Sequence, residues 1–238
     1  MPLPHPRRLQ APIALAALLL GACGGQVDAQ PRLRAEGTPV MATLAGAAGQ
    51  ATDRLRSGDL AGARALFESA LAEDPDRLAA LNDLAVSYYL DGRFEAARQL
   101  LDEVVARGDS PEQQTALLNL GELYALEGYV SAAQAHFETA RDIDPTRPGP
   151  FYALGLLADM RGLPAAALGD VREALRLDPV GAGRNALAFV YPEERTHLEA
   201  LVGEALGDRE LAAARWRELG SARFPALTAA AQRHLEAP

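Results

Sequence analysis

The most regular alternation of apolar and polar positions in the chain runs from Leu117 to Pro145. Leu117, Leu120, Gly121 and Tyr124 recur at i, i+3, i+4 and i+7, the spacing of one helical face. After a turn at Glu127 and Gly128, a second apolar run places Ala133, Phe137 and Ala140 on one face in the same way. Asp144-Pro145 ends that run, because proline lacks the N–H a helix needs and its ring clashes with the preceding turn. The pattern predicts a helix hairpin. Small Gly121 and Ala133 let its two helices approach, while Tyr124 and Phe137 fill the space beside them. Neither helix can bury its apolar stripe alone, so the hairpin needs neighbours.

The neighbours are in the chain itself. The turn glycines Gly58, Gly92, Gly128 and Gly162 are 34, 36 and 34 residues apart. Counted from them, one small position reads Ala63, Ala97, Ala133 and Ala167. The next large position reads Phe67, Leu101, Phe137 and Val171, and the small one after it Ala70, Val104, Ala140 and Ala174. Pro75, Pro145 and Pro179 close three copies; the second closes on Gly108-Asp109-Ser110-Pro111, which accounts for its two extra residues. A large residue, Leu, a small residue and Tyr on the first helix, then Ala, Phe, Ala and Pro on the second, resembles the tetratricopeptide repeat. That repeat is a helix-turn-helix unit of about 34 residues. The resemblance implies an all-α fold, a right-handed superhelix or α-solenoid of helix-turn-helix repeats with a C-terminal capping helix.

Its ends depart from the pattern. The first helix of the first repeat, expected over Met41 to Arg56, carries Gln50, Ala51 and Arg54 where Leu, a small residue and Tyr belong. A polar outer face is what the terminal helix of a stack requires. Beyond the fourth repeat the period breaks. Thr196 to Leu206 and Arg209 to Leu219 form a further hairpin around Gly207, keeping the small and large positions at Ala212 and Trp216 but not the Tyr. Leu227, Ala230, Ala231 and Leu235 share one face of a last helix over Phe224 to Leu235. The expected organisation is therefore a leader at 1–23, a tether at 24–40, four repeats at 41–179, a linker at 180–192, and a divergent fifth repeat with a capping helix at 193–238.

At the start of the chain, Arg7 and Arg8 precede an apolar run of ten, Ala11 to Leu20, too short to span a bilayer as a helix. Leu20-Gly21-Ala22-Cys23 resembles the bacterial lipobox. The resemblance implies removal of the leader up to but not including Cys23, a diacylglycerol anchor on Cys23 and no crossing of the membrane by the chain. Gly24 in place of Asp after the cysteine implies sorting to the outer membrane, facing the periplasm. Cys23 is the only cysteine, which excludes an internal disulfide. Gly24 to Pro39 mixes Gly, Pro and charge without an apolar period, as a tether does.

Composition narrows the function. All 23 basic residues are Arg, and 23 against 32 acids gives −9, or −11 once Arg7 and Arg8 leave with the leader (21 minus 32). That balance excludes a nucleic-acid binder, whose partner's phosphates need a basic stripe. No HExxH, GxSxG or Walker pattern is present. His136, His197 and His234 each stand alone in sequence, so no helical zinc pair is expected. Adjacent acids such as Asp102-Glu103 and Glu193-Glu194 point about 100° apart on a helix and cannot share a proton. Neither an enzyme nor a bound metal or cofactor is expected.

In the tetratricopeptide family the free face of the first helices lines a concave groove that takes a segment of a partner protein. Carried over by repeat position, the second repeat supplies Asn82, Val86, Tyr89 and Leu90, and the third Leu118, Glu122, Ala125 and Leu126. The fourth supplies Tyr152, Leu156, Asp159 and Met160, with Tyr89 and Tyr152 expected as exposed anchors. The family's Lys-and-Asn clamp for a C-terminal carboxylate is ruled out, since the chain has no Lys. An apolar groove with tyrosines suits an apolar or amphipathic segment of an envelope protein. The likeness extends to tetratricopeptide lipoproteins that assist pilus secretins or scaffold cell-wall enzymes. The alternative is a groove that holds a small apolar ligand or lipid; self-association is left open.

Overall fold

A computed structural model describes residues 44–45, 49–186 and 191–236. Within them the chain forms consecutive antiparallel hairpins: α1 (Gln50–Arg56) with α2 (Leu60–Glu73), α3 (Leu78–Leu90) with α4 (Phe94–Arg107), α5 (Ser110–Leu126) with α6 (Val130–Ile143), and α7 (Gly149–Met160) with α8 (Pro164–Leu177). Each hairpin also packs on the next, α2 on α3, α4 on α5 and α6 on α7. The architecture is an all-α solenoid of helix-turn-helix repeats. A short helix, α9 (Ala182–Ala186), follows, then a hairpin of α10 (Pro192–Leu206) and α11 (Arg209–Leu219), and finally α12 (Pro225–Glu236).

The aligned glycines do the turning. Gly58, Gly92, Gly128 and Gly162 take φ of 84°, 72°, 83° and 76°, left-handed values that cost any residue with a Cβ, and Gly207 repeats them at 79°. The small and large positions do the packing. Ala63, Ala97, Ala133 and Ala167 are fully buried, and Phe67, Leu101, Phe137 and Val171 are buried one turn further on. A Cβ on Gly121 would lie 2.3 Å from the Phe137 ring, so α5 and α6 touch at a distance only glycine allows. Helix ends follow the chemistry of their caps. Asp109 and Glu112 form a reciprocal capping box at the start of α5, where the second repeat lacks its closing proline.

Three boundaries differ from the sequence expectation, and at one of them α10 begins at Pro192 rather than at Thr196. The first helix was expected from Met41, yet α1 begins at Gln50, and Leu44 and Ala45 are not helical. Gly46 and Gly49 interrupt that stretch, and glycine costs a helix roughly 1 kcal/mol each time. The stretch expected as a linker holds α9, started by Asp178. Its carboxylate accepts the backbone N–H groups of Gly183 at 2.9 Å and Arg184 at 2.7 Å.

Candidate functional site

The inner faces of α3, α5 and α7 stand side by side, and the expected groove residues are on them. Most do not line an open groove. Asn82, Val86, Leu118, Glu122, Leu126, Leu156 and Asp159 are buried, as are Ala125 and Met160, and Leu90 is half-buried. The two tyrosines expected as exposed anchors are 2% exposed at Tyr89 and 0% at Tyr152. The expectation fails because the chain covers its own concave face. Tyr191 packs against the cluster that contains Val86, Tyr89 and Leu126, and Leu44 joins the same cluster. The Ala45 N–H donates to the Asp83 carboxylate at 2.7 Å. Tyr152 donates its hydroxyl to Asp178 at 3.4 Å.

Polar groups under this cover are paired along the inner helices. Asn119 donates to Asn82 at 2.8 Å, and Asn82 donates to Asp83 at 3.0 Å, which joins the second and third repeats by a buried amide chain. The Tyr89 hydroxyl has no hydrogen-bond partner among the described residues. Burial, with Glu122, Glu194 and Tyr191 close by, pushes it well above the ordinary tyrosine value. Burial and the neighbouring Glu194 raise Tyr191 to about 12. Tyr152 is likewise raised to about 12, by burial first and then by Asp178. The start of α10 thus lies against the second and third repeats.

The structure brings together histidines that look isolated in sequence. Asp159, at the end of α7, accepts from His197 Nε2 of α10 at 2.7 Å through Oδ2, and from His234 Nε2 of α12 at 2.7 Å through Oδ1. His234 Nδ1 lies 2.7 Å from Glu204 of α10, and Trp216 Nε1 donates to the same Glu204 oxygen at 2.6 Å. The Trp216 and His234 rings stack with centroids 4.1 Å apart and planes 9° from parallel. Arg233 donates to the Asp159 main-chain carbonyl at 2.6 Å.

With a carboxylate facing each ring nitrogen, His234 must donate from both, so it is an imidazolium. Burial acts to lower its pKa, but the bonds to Asp159 and Glu204 outweigh it and raise it to about 9. Burial acts to raise Asp159, but the two imidazoles overcome it and hold the carboxyl far below the usual range. A histidine with both N–H groups committed has no lone pair to act as a base, and Asp159 has both oxygens occupied. The cluster joins helices. Among the described residues no three His, Cys, Asp or Glu side chains converge as metal ligands. The signal available in sequence was Asp159 itself, a lone acid in the apolar run Leu154 to Met160.

One part of the concave side remains open. A cavity of about 380 Å³ lies at the amino ends of α3, α5 and α7, lined among others by Leu44, Ala79, Gln114, Leu118, Pro148 and Gly183. Leu118 is the expected groove residue that reaches it. Elsewhere His136 stacks on Tyr124 with centroids 5.1 Å apart, a packing role. Cys23 and the leader lie outside the described residues. No helix among the described residues is long and apolar enough to cross a membrane.

One comparison with known families bears on the repeats of residues 54–120. The family model for the tetratricopeptide repeat matches residues 54–120, from the end of α1 into α5. The crystal structure of MamA is similar at 18% identity and a TM-score of 0.45, over 80% of this chain and 99% of that one. The crystal structure of PilW, a widely conserved type IV pilus biogenesis factor, is similar at 18% identity and a TM-score of 0.39, over 76% and 99%. No curated protein matches the chain in sequence.

Proposed function

We propose that this tetratricopeptide-repeat chain is a lipid-anchored adaptor of the bacterial envelope, tethered to the outer membrane through Cys23 and holding an apolar or amphipathic segment of another envelope protein. The observation that carries the reading is that α3, α5 and α7 line one cavity together, an arrangement that presents several inner helices to one ligand. Because most of that face is covered, the contact region is the open end of the groove around the cavity at Leu118. The anchor rests on Leu20 to Cys23 and on the tether that follows. In this reading His234 and Asp159 are occupied by contacts between helices rather than by chemistry.

Photocrosslinking in native envelopes tests the adaptor reading. A photoreactive residue at Glu112, on the cavity, should capture a discrete protein partner, whereas one at exposed Arg172 on α8 should not. Capture from Arg172 but not from Glu112 overturns the groove assignment. The anchor is tested separately: Cys23→Ser should leave the precursor uncleaved and without lipid, and normal processing of that variant ends the lipoprotein reading.

The cavity's size also falls within the range of small-molecule sites, which favours a second reading, a small apolar ligand or lipid held there. Native mass spectrometry distinguishes the two. A bound molecule of a few hundred daltons, lost on Leu118→Asp, supports the second reading.

A further inference from the structure

The surface between α10–α12 and the repeats differs in chemistry from the apolar contacts of the repeats, such as Gly121 on Phe137. Its centre is Asp159 of α7, fully buried, with His197 of α10 and His234 of α12 on its two oxygens. Glu204 holds His234 from the other side, and the indole of Trp216 both donates to Glu204 and stacks on His234. Burying a carboxylate and an imidazole is unfavourable unless each keeps its partners, so a single proton decides whether this contact is attractive. Apolar contacts such as Gly121 on Phe137 have no such dependence. The start of α10 then extends this unit over Tyr89 and Glu122, on the inner faces of α3 and α5.

We propose that α10–α12 are a latch, closed over the concave face by the His234 imidazolium between Asp159 and Glu204, and opened as a unit when that imidazolium loses its proton. The inference concerns the chain alone and holds whether or not the adaptor reading is correct.

Other charges around the latch are few. From α12, Arg233 is bonded to the Asp159 carbonyl; from α11, Arg209 and Arg217 line the surface depression shared by Glu204 and His234; α8 contributes Leu168 there. Glu194 and His197 complete the α10 side. The arginines keep their charge throughout. Because the His234 value is raised from 6.5 to about 9 in the closed state, its contribution is complete below about pH 6.5 and fades as pH rises through about 9. Tyr89, Tyr152 and Tyr191 are all raised, the latter two to about 12, so they stay neutral across that window.

Hydrogen exchange read by mass spectrometry on the full chain, with fluorescence of the sole tryptophan, Trp216, tests this. Between pH 7 and 10, after correction for intrinsic exchange, α10 and α12 amides should lose protection by about tenfold or more. Those of α5 and α6 should not change, and Trp216 emission should shift to the red over the same range. His234→Gln should show the open pattern already at pH 7 and abolish the pH step. Glu204→Gln, which removes one of the two carboxylates, should move the wild-type midpoint to lower pH. Equal loss of protection in α5–α6 and α10–α12, or no step in the wild-type chain between pH 7 and 10, overturns the latch. If His234→Gln does not fold, the wild-type titration and Glu204→Gln decide alone.

Discussion

The hairpin of α5 and α6 and the closure of α10–α12 onto α7 are both buried, yet they are held in opposite ways. In the hairpin, Gly121, Ala133, Phe137 and Ala140 meet without a charged group, and the same positions recur in every repeat. In the closure, Asp159, His197, His234 and Glu204 meet once, through atoms that each need a defined protonation state. The first kind of contact specifies a stack that extends by repetition. The second specifies one place where the stack stops and one set of partners that can stop it. A buried polar cluster contributes modestly to stability when intact and is costly when half removed, so its effect is on geometry more than on depth of the energy well.

Breaking the closure should give the largest effect. Asp159→Ala leaves His197 and the His234 cation without their shared carboxylate, and should weaken docking of α10–α12 by about 3–5 kcal/mol. The Trp216 fluorescence transition in urea should then precede the far-ultraviolet circular dichroism transition. Coincident transitions would show that the two regions are one cooperative body.

Breaking the stack comes next. Gly121→Leu forces a side chain into the Phe137 ring and should cost about 1–3 kcal/mol. The loss should spread to the second and fourth repeats, because each is held by its neighbours. An unchanged melting temperature would mean that α5 and α6 do not touch at Gly121.

Alkaline pH sharpens the comparison without a mutation. Stability contributed by His234 is whole below about pH 6.5 and lost as pH rises through about 9, an effect on the order of 1–3 kcal/mol. Urea midpoints measured at pH 6, 8 and 10 should fall in wild type and stay level in His234→Gln.

The smallest effect belongs to Tyr89, whose hydroxyl is buried with no partner among the described residues. Tyr89→Phe should shift stability by less than about 1 kcal/mol, in the stabilising direction, because an unsatisfied polar atom leaves the interior. A loss of several kcal/mol would reveal a bond to that oxygen.

The repeats were legible because their signals are local. Gly58, Gly92, Gly128 and Gly162 sit in turns that the chain must make whatever surrounds it, and their alignment places the turn inside each hairpin from α1–α2 to α7–α8. The groove residues were assigned to the correct helices for the same reason. Their burial was not legible, because periodicity reports which residues share a face and says nothing of what lies on it. The cover comes from Leu44, Tyr191 and α10, segments where the repeat has already decayed. His197 and His234 reach Asp159 across 38 and 75 residues, with no spacing rule to connect them. Asp159, an acid alone in an apolar helix, was the trace such a partner leaves.

An open solenoid is compliant, since a small rotation at each repeat adds up along its length. Here the segment after the fourth repeat reaches back to Tyr89 in the second, while His197 and His234 fix it to the fourth. The superhelix is thereby braced across its curve, as a strut stiffens an arch, and its softest bending mode is removed. A load applied between the second repeat and α12 should therefore fall on this strut before any hairpin is strained. Under such a load, release at Asp159 should come first, with the repeats still folded.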